Sequence, residues 1–124
     1  MLNNTFHTAG TGESALYLQN INKAYLVNNI AQGDFTGSGN SYVTQSQGTY
    51  YYNNNIAEED TGTGITQTIV QFVDEANYDF HLATEDTSAR DAGTSTVPVG
   101  ALRAMPVAYD IDGQERYDAH YDIG

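Results

Sequence analysis

The sequence predicts an all-β fold of stacked parallel coils, a β-helix of about three coils followed by an irregular C-terminal tail. Three observations carry this: a composition rich in strand and bend formers, an asparagine motif that recurs at a fixed period, and Gly-rich turns between strand-like runs. The chain has 124 residues, long enough for one domain, and 40% of them are hydrophobic, enough for a lean core. Ten Tyr and 12 Gly stand beside only two Met and four Lys or Arg, so helix formers are scarce.

The repeat decides the architecture. Asn3-Asn4-Thr5-Phe6 returns as Asn28-Asn29-Ile30 and as Asn54-Asn55-Ile56, at spacings of 25 and 26 residues. Ala24-Tyr25-Leu26-Val27 leads into the second copy and Thr49-Tyr50-Tyr51-Tyr52 into the third. Ala15-Leu16-Tyr17-Leu18 is answered about one period later by Ser41-Tyr42-Val43-Thr44. Between these runs lie turns such as Ala9-Gly10-Thr11-Gly12, Gly33-Asp34-Phe35-Thr36-Gly37-Ser38-Gly39 and Thr61-Gly62-Thr63-Gly64. A period of this length suits a solenoid coil or a propeller blade. Asparagine tolerates the left-handed backbone region, which a sharp bend between two strands of a coil requires. Stacked at the spacing of neighbouring strands, its amide donates and accepts along the stack and forms an asparagine ladder. The competing reading is an antiparallel protein with Asn-rich hairpin turns, but the hairpin dipeptide Asn-Gly never occurs. The residues that follow each pair, Thr5-Phe6, Ile30 and Ile56, are expected to point inward and stack in a thin core.

Beyond Ile65 the repeat fades into the strand-like stretch Ile65 to Val73 and then a polar tail. Phe72-Val73-Asp74-Glu75-Ala76-Asn77-Tyr78-Asp79-Phe80-His81-Leu82 resembles the exit segment of right-handed parallel β-helix proteins related to pectate lyases. Ala89-Arg90-Asp91-Ala92-Gly93, Asp110-Ile111-Asp112-Gly113-Gln114-Glu115-Arg116 and Asp122-Ile123-Gly124 resemble three later elements of that family, in the same order. Glu75 and Tyr78 stand where the family has Pro and Gly, Ser88 and Arg90 replace Pro and Ile, and the family's ending stops at Gly124. The resemblance implies right-handed coils over residues 1–73 and a closing segment over 74–124, packed on the last coil within the same domain. It also implies a secreted or cell-surface protein and makes polysaccharide the expected ligand.

Charge and composition exclude several classes. The formal charge is −12, with 16 acidic residues against Lys23, Arg90, Arg103 and Arg116, so no nucleic-acid partner is expected. There is no Cys, hence neither a disulfide framework nor a thiolate metal site. No apolar run approaches the ~18 residues of a membrane span, and Met1 is followed by Asn3-Asn4 rather than a basic and then apolar leader, so the expectation is a chain without span or targeting segment.

No complete catalytic cluster is legible. The lyases that the chain resembles hold calcium with acidic groups beside a Lys or Arg base, and related hydrolases use carboxylate pairs; here the repeats carry Lys23 as their one basic residue and few carboxylates before Glu58. Glu58-Glu59-Asp60 reads as a solvated bend, with a cation site or an acid–base pair as the alternative. Asp110-x-Asp112-Gly113 has half of a calcium loop, but Arg116 and Tyr117 interrupt the remainder, leaving a turn with an Asp cap as the main reading. His7, His81 and His120 have no second ligand at short spacing and read as hydrogen-bonded histidines. The three arginines of the tail are expected to pair with carboxylates and backbone carbonyls, Arg116 fastening the tail to the last coil. No cofactor is expected.

Tyrosine is the functional surplus. In Tyr50-Tyr51-Tyr52, alternation puts Tyr51 on the face opposite its neighbours, and an exposed ring there is a candidate carbohydrate contact; the alternative is simple strand packing. The function expected is therefore a non-catalytic structural or carbohydrate-contacting part of a β-helix protein. The alternative is a fragment of a polysaccharide lyase or glycoside hydrolase whose catalytic coils lie upstream. The open first coil, with Leu2 and Phe6 at its edge, predicts either self-association through Leu2 to Phe6 or fraying there.

Overall fold

The structure is a computed structural model and describes residues 2–8, 14–35, 41–45, 48–59, 62–94, 109 and 121–124. The described residues form ten short strands and no α-helix: β1 (Thr5–Thr8), β2 (Leu16–Gln19), β3 (Lys23–Val27), β4 (Ile30–Gly33), β5 (Tyr42–Gln45), β6 (Thr49–Asn53), β7 (Asn55–Ala57), β8 (Ile65–Gln67), β9 (Phe72–Asp74) and β10 (Asp79–Leu82). A single 3-10 turn, Glu75–Asn77, joins the last two. The all-β expectation therefore holds.

Among the described residues three of the four sheets are parallel. Their order is β1-β4-β7-β8, β2-β5 and β3-β6, while β9 and β10 pair antiparallel. Thr5 pairs with Ile30, Ile30 with Ile56, Leu16 with Tyr42 and Lys23 with Thr49, so the repeat spacing read from the sequence is the register of all three parallel sheets. The fourth strand of the large sheet breaks the period. Asn55 pairs with Ile65 across a short return. Gly64, with φ 75°, makes that return feasible, because a Cβ there would collide with the Tyr52 carbonyl.

The asparagine pairs divide the work of each bend. The first member is left-handed at every copy, with φ of 51° at Asn3, 55° at Asn28 and 50° at Asn54. The second member carries the amide row. Asn4 Nδ2 donates to Asn29 Oδ1 at 3.0 Å, and Asn29 Nδ2 donates to Asn55 Oδ1 at 2.8 Å. The same oxygens also accept the backbone N–H of Asn4 and of Asn29, at 3.2 and 3.1 Å. Asn29 and Asn55 are buried, and these bonds offset the cost of removing their amides from water.

The inward-pointing row differs from the one expected. Ile30 and Ile56 are buried, but against Val70, from the stretch after the last repeat, and Ala89 and Ile123 from the tail, in a cluster on the outer face of the four-stranded sheet. The core between the parallel sheets takes the next residue of each copy: Ala31 and Ala57 are fully buried there beside Leu26, Phe35 and Tyr42, with Phe6 packed against them. The reason is alternation. Thr5, Ile30 and Ile56 share one register row, so all three lie on the same side, and Phe6, Ala31 and Ala57 necessarily lie on the other.

The tail is thus a covering layer. Gln32, also on the outer face, donates from Nε2 to Val70 O at 3.0 Å and accepts the Val70 N–H at 2.7 Å. Asn28 Nδ2 donates to Thr94 O at 2.8 Å while Thr94 N–H donates to Asn28 Oδ1 at 2.9 Å, and Asn54 Nδ2 donates to Ala92 O at 2.7 Å. Glu75 meets His7 of β1. Described residues beyond 73 therefore touch all three copies of the repeat, not the last alone.

Candidate functional site

Tyr51 lies on the outward side of β6, as alternation predicts. Its register partner across the β3-β6 pair is Tyr25, one period earlier. The two rings stack with centroids 4.9 Å apart and an interplanar angle of 11°. Lys23 stands two residues before Tyr25 on the same side of β3, and its Nζ sits 5.2 Å from the Tyr25 centroid and 5.4 Å from that of Tyr51. The hydrogen bond with Tyr25 raises the Lys23 pKa above its ordinary value, so the ammonium stays charged throughout the neutral range. Tyr51 remains 41% exposed, and among the described residues no strand follows β6 in its sheet. One face of its ring is covered by Tyr25.

The flanking tyrosines have structural duties. Tyr52 packs against the core between the parallel sheets, and the Tyr50 hydroxyl donates to Ile21 O at 3.1 Å. Of the site residues, sequence reasoning found Tyr51 and missed Tyr25 and Lys23 as its companions. The signal was present in the repeat spacing: counting one period back from Tyr51 lands on Tyr25, and alternation then puts Lys23 on the same face.

The other candidates resolve into local structure. Glu58 Oε2 accepts the Gly33 N–H at 2.7 Å, tying two levels of the stack together; Glu59 is exposed, and Asp60 lies outside the described residues. Among the described residues no group of three or more His, Asp or Glu side chains is placed to hold a metal ion. His7 Nε2 is 2.5 Å from Glu75 Oε1 and stacks at a tilt on Phe80, whereas His81 Nδ1 meets Asp79 Oδ1 at 2.5 Å. That bond with His81, reinforced by the His81 N–H, lowers the Asp79 pKa. Arg90 donates to the carbonyls of Leu82 and Ala83 at 3.2 and 3.1 Å, a tether within the tail. Arg103, Asp110, Asp112, Arg116, Tyr117 and His120 lie outside the described residues.

Asp86 was not singled out from the sequence, yet it organises the tail. It is 2% exposed, and its carboxylate accepts the N–H groups of Gln71, Ser88, Ala89 and Arg90 at 3.0, 3.2, 2.7 and 3.0 Å. Burial alone pushes the carboxyl pKa up, but the four amides together outweigh it and the pKa is lowered. Asp is a frequent capping residue at such turns, and that was the one signal the sequence offered.

A second concave region lies at the start of the stack. A cavity of about 810 Å³ is bounded by Leu2 to Phe6, Ile30, Tyr78 to Leu82, Arg90, Tyr109 and Asp122 to Gly124. Both amide atoms of Asn3 are buried there without a hydrogen-bond partner among the described residues, a state that costs about 1–3 kcal/mol per group.

No protein-family model matches this chain, and no curated protein or solved structure matches it.

Proposed function

We propose that this chain is a closing part of a right-handed parallel β-helix in a secreted or cell-surface protein, of the kind related to pectate lyases, and that it holds polysaccharide without cleaving it. Support for the architecture comes from the single 25–26-residue offset shared by all three parallel sheets and by the amide row. The resemblance of the tail motifs adds to this: Ala89 to Gly93 and Asp122 to Gly124, two of the elements that carry it, are hydrogen-bonded to each other. Asp91 N–H donates to Asp122 Oδ1 at 2.7 Å and Ile123 N–H to Ala89 O at 2.8 Å.

The observation that carries the ligand is the outward stack of Tyr25 and Tyr51 with the Lys23 ammonium beside it. An aromatic face accepts the C–H face of a pyranose ring, and a neighbouring ammonium donates to its hydroxyls. A net charge of −12 repels polyuronates at long range, which favours a neutral glycan. Affinity electrophoresis in gels cast with neutral β-glucan or galactan, and with polygalacturonate, tests this. Retardation by a neutral polymer that is lost in Tyr51→Ala, with no new reducing ends formed, is the expected result. Equal mobility in every gel sinks the carbohydrate reading.

A further inference from the structure

We propose that Tyr25 and Tyr51 are a site of oxidative cross-linking, at which hydrogen peroxide, acting through a haem peroxidase, joins the two rings into a dityrosine that staples β3 to β6. The register singles out this pair. Of the three tyrosines in β6, Tyr50 lies opposite Ala24 and Tyr52 opposite Leu26, and Tyr51 alone lies opposite another tyrosine. The rings of Tyr25 and Tyr51 are nearly parallel, with centroids 4.9 Å apart. Exposure by itself would favour other positions, since Tyr17, Tyr78 and Tyr109 are all more exposed than Tyr51. The register partner of Tyr17, however, is Val43, and the ring beside Tyr78 is that of Phe80.

Each step of the chemistry has its place in this arrangement. Tyr51 meets the oxidant, because its side chain is exposed while that of Tyr25 is half-buried. Loss of one electron and the phenolic proton makes a radical on Tyr51. Exchange of an electron and a proton with the stacked ring passes the radical to Tyr25 and leaves Tyr51 ready for a second oxidation. The two radicals then couple. A C–C bond forms between the ring carbons ortho to the hydroxyls, the hydrogen on each of those carbons is lost as a proton, and each phenolic oxygen takes one up. The chain loses two hydrogen atoms in all, and their two electrons and two protons reduce one hydrogen peroxide to two waters. Rings held in contact replace a chance encounter of two radicals, so the linkage within one chain outruns the linkage between chains. The Lys23 ammonium, hydrogen-bonded to Tyr25 and 5.2 and 5.4 Å from the two centroids, holds the Tyr25 oxygen while its proton departs. The chain has no Cys, so no disulfide can tie β3 to β6. Among the described residues β6 is the last strand of its sheet, and the cross-link closes a loop one repeat long around that edge.

The test treats the full chain, in dilute solution, with a haem peroxidase and hydrogen peroxide. Blue dityrosine fluorescence is expected in a species that migrates as a monomer and is lighter than the untreated chain by two hydrogen atoms. Cleavage after Asp and Glu separates Tyr25 from Tyr51, and tandem mass spectrometry should find the fragments that hold them joined. Tyr25→Phe and Tyr51→Phe each keep a stacked ring and remove one phenol, and each should lose the monomeric product. Oxidation in urea above the unfolding midpoint should lose it as well, because the rings are no longer in contact. The cross-linked chain is expected to unfold at a higher urea midpoint than the untreated one. Absence of dityrosine, dityrosine confined to dimers, or a linkage mapped to Tyr17, Tyr78 or Tyr109 overturns the proposal. So does an undiminished monomeric yield in either Phe variant or in urea, or a lower midpoint after cross-linking. The mapping in the unsubstituted chain decides the matter by itself should a variant be destabilised.

Discussion

The two faces of the sheet β1-β4-β7-β8 are made of adjacent residues and are buried by different means. On the inner face Phe6, Ala31 and Ala57 meet side chains from other repeated strands, including Leu26 and Tyr42, so the repeat covers itself. On the outer face, where Thr5 shares their register row, Ile30 and Ile56 meet Val70, Ala89 and Ile123, which come from segments present once in the chain. Repetition therefore accounts for one face only. The other is stabilised by chain that shares neither period nor strand pattern with it, and the tail is part of the core rather than an appendage.

The amide row is the seam between the two faces, and breaking it gives the largest expected effect. Asn29→Ala removes the bonds of Asn29 Nδ2 to Asn55 and to Val27 O and takes away the acceptor of Asn4 N and Nδ2. A loss of about 4 kcal/mol is expected, from several buried groups left unpaired at once, read as a lower urea midpoint. Both faces should loosen together. Ile56→Ala strikes the outer face alone and is expected to cost about 3 kcal/mol, the middle of the range for a buried Ile cut back to Ala. Amide exchange separates the two variants: Ile56→Ala should accelerate exchange at Val70, Ala89 and Ile123 and leave Leu26 and Ala31 protected. Equal acceleration on both faces would show that the comparison is wrong and that the sheet behaves as one unit.

How much of this was legible in the sequence follows the same division. The period, the strand pairs and the asparagine row could be read because each copy restates the others. The choice of inner residue could not, since Ile30 and Ala31 are both apolar and alternation fixes the two faces without saying which is covered by what. Ile30 is expected inward from the sequence because it is the apolar residue directly after the Asn pair. In the second and third copies Ala31 and Ala57 fill the inner face, and Ile30 and Ile56 are covered by residues from beyond the repeat. Tyr51 was readable as outward, whereas its stack with Tyr25 needed the register. The tail was legible as a resemblance but not as contacts: nothing periodic links Val70 or Ala89 to Ile56, and Asp86 declares itself only through four backbone amides that the fold brings together.

Asp86 sharpens the comparison further, because it makes one face sensitive to acid. Its carboxylate holds Gln71, Ser88, Ala89 and Arg90 in place, and Ala89 is a member of the outer cluster, as is Val70 next to Gln71. The folded-state pKa is depressed relative to the unfolded chain, so the folded state favours the ionised form. Stability from this group is fully present above the unfolded carboxyl value of about 3.9 and is lost as pH falls through the lower folded value. Asp86→Ala is expected to cost about 2 kcal/mol at neutral pH, the smallest of the three effects, because the freed amides of Ser88 and Arg90 are partly exposed and recover water. Asp86→Asn retains one acceptor oxygen and removes the titration. The difference in urea midpoint between wild type and Asp86→Asn should therefore be constant above about pH 5 and shrink towards pH 3 and below, whatever the other carboxylates do in both proteins. Exchange at Ala89 should rise in acid before exchange at Ala31. A difference that stays constant down to pH 2, or inner-face amides that open first, would detach Asp86 from the outer face and leave the tail held by its apolar contacts alone.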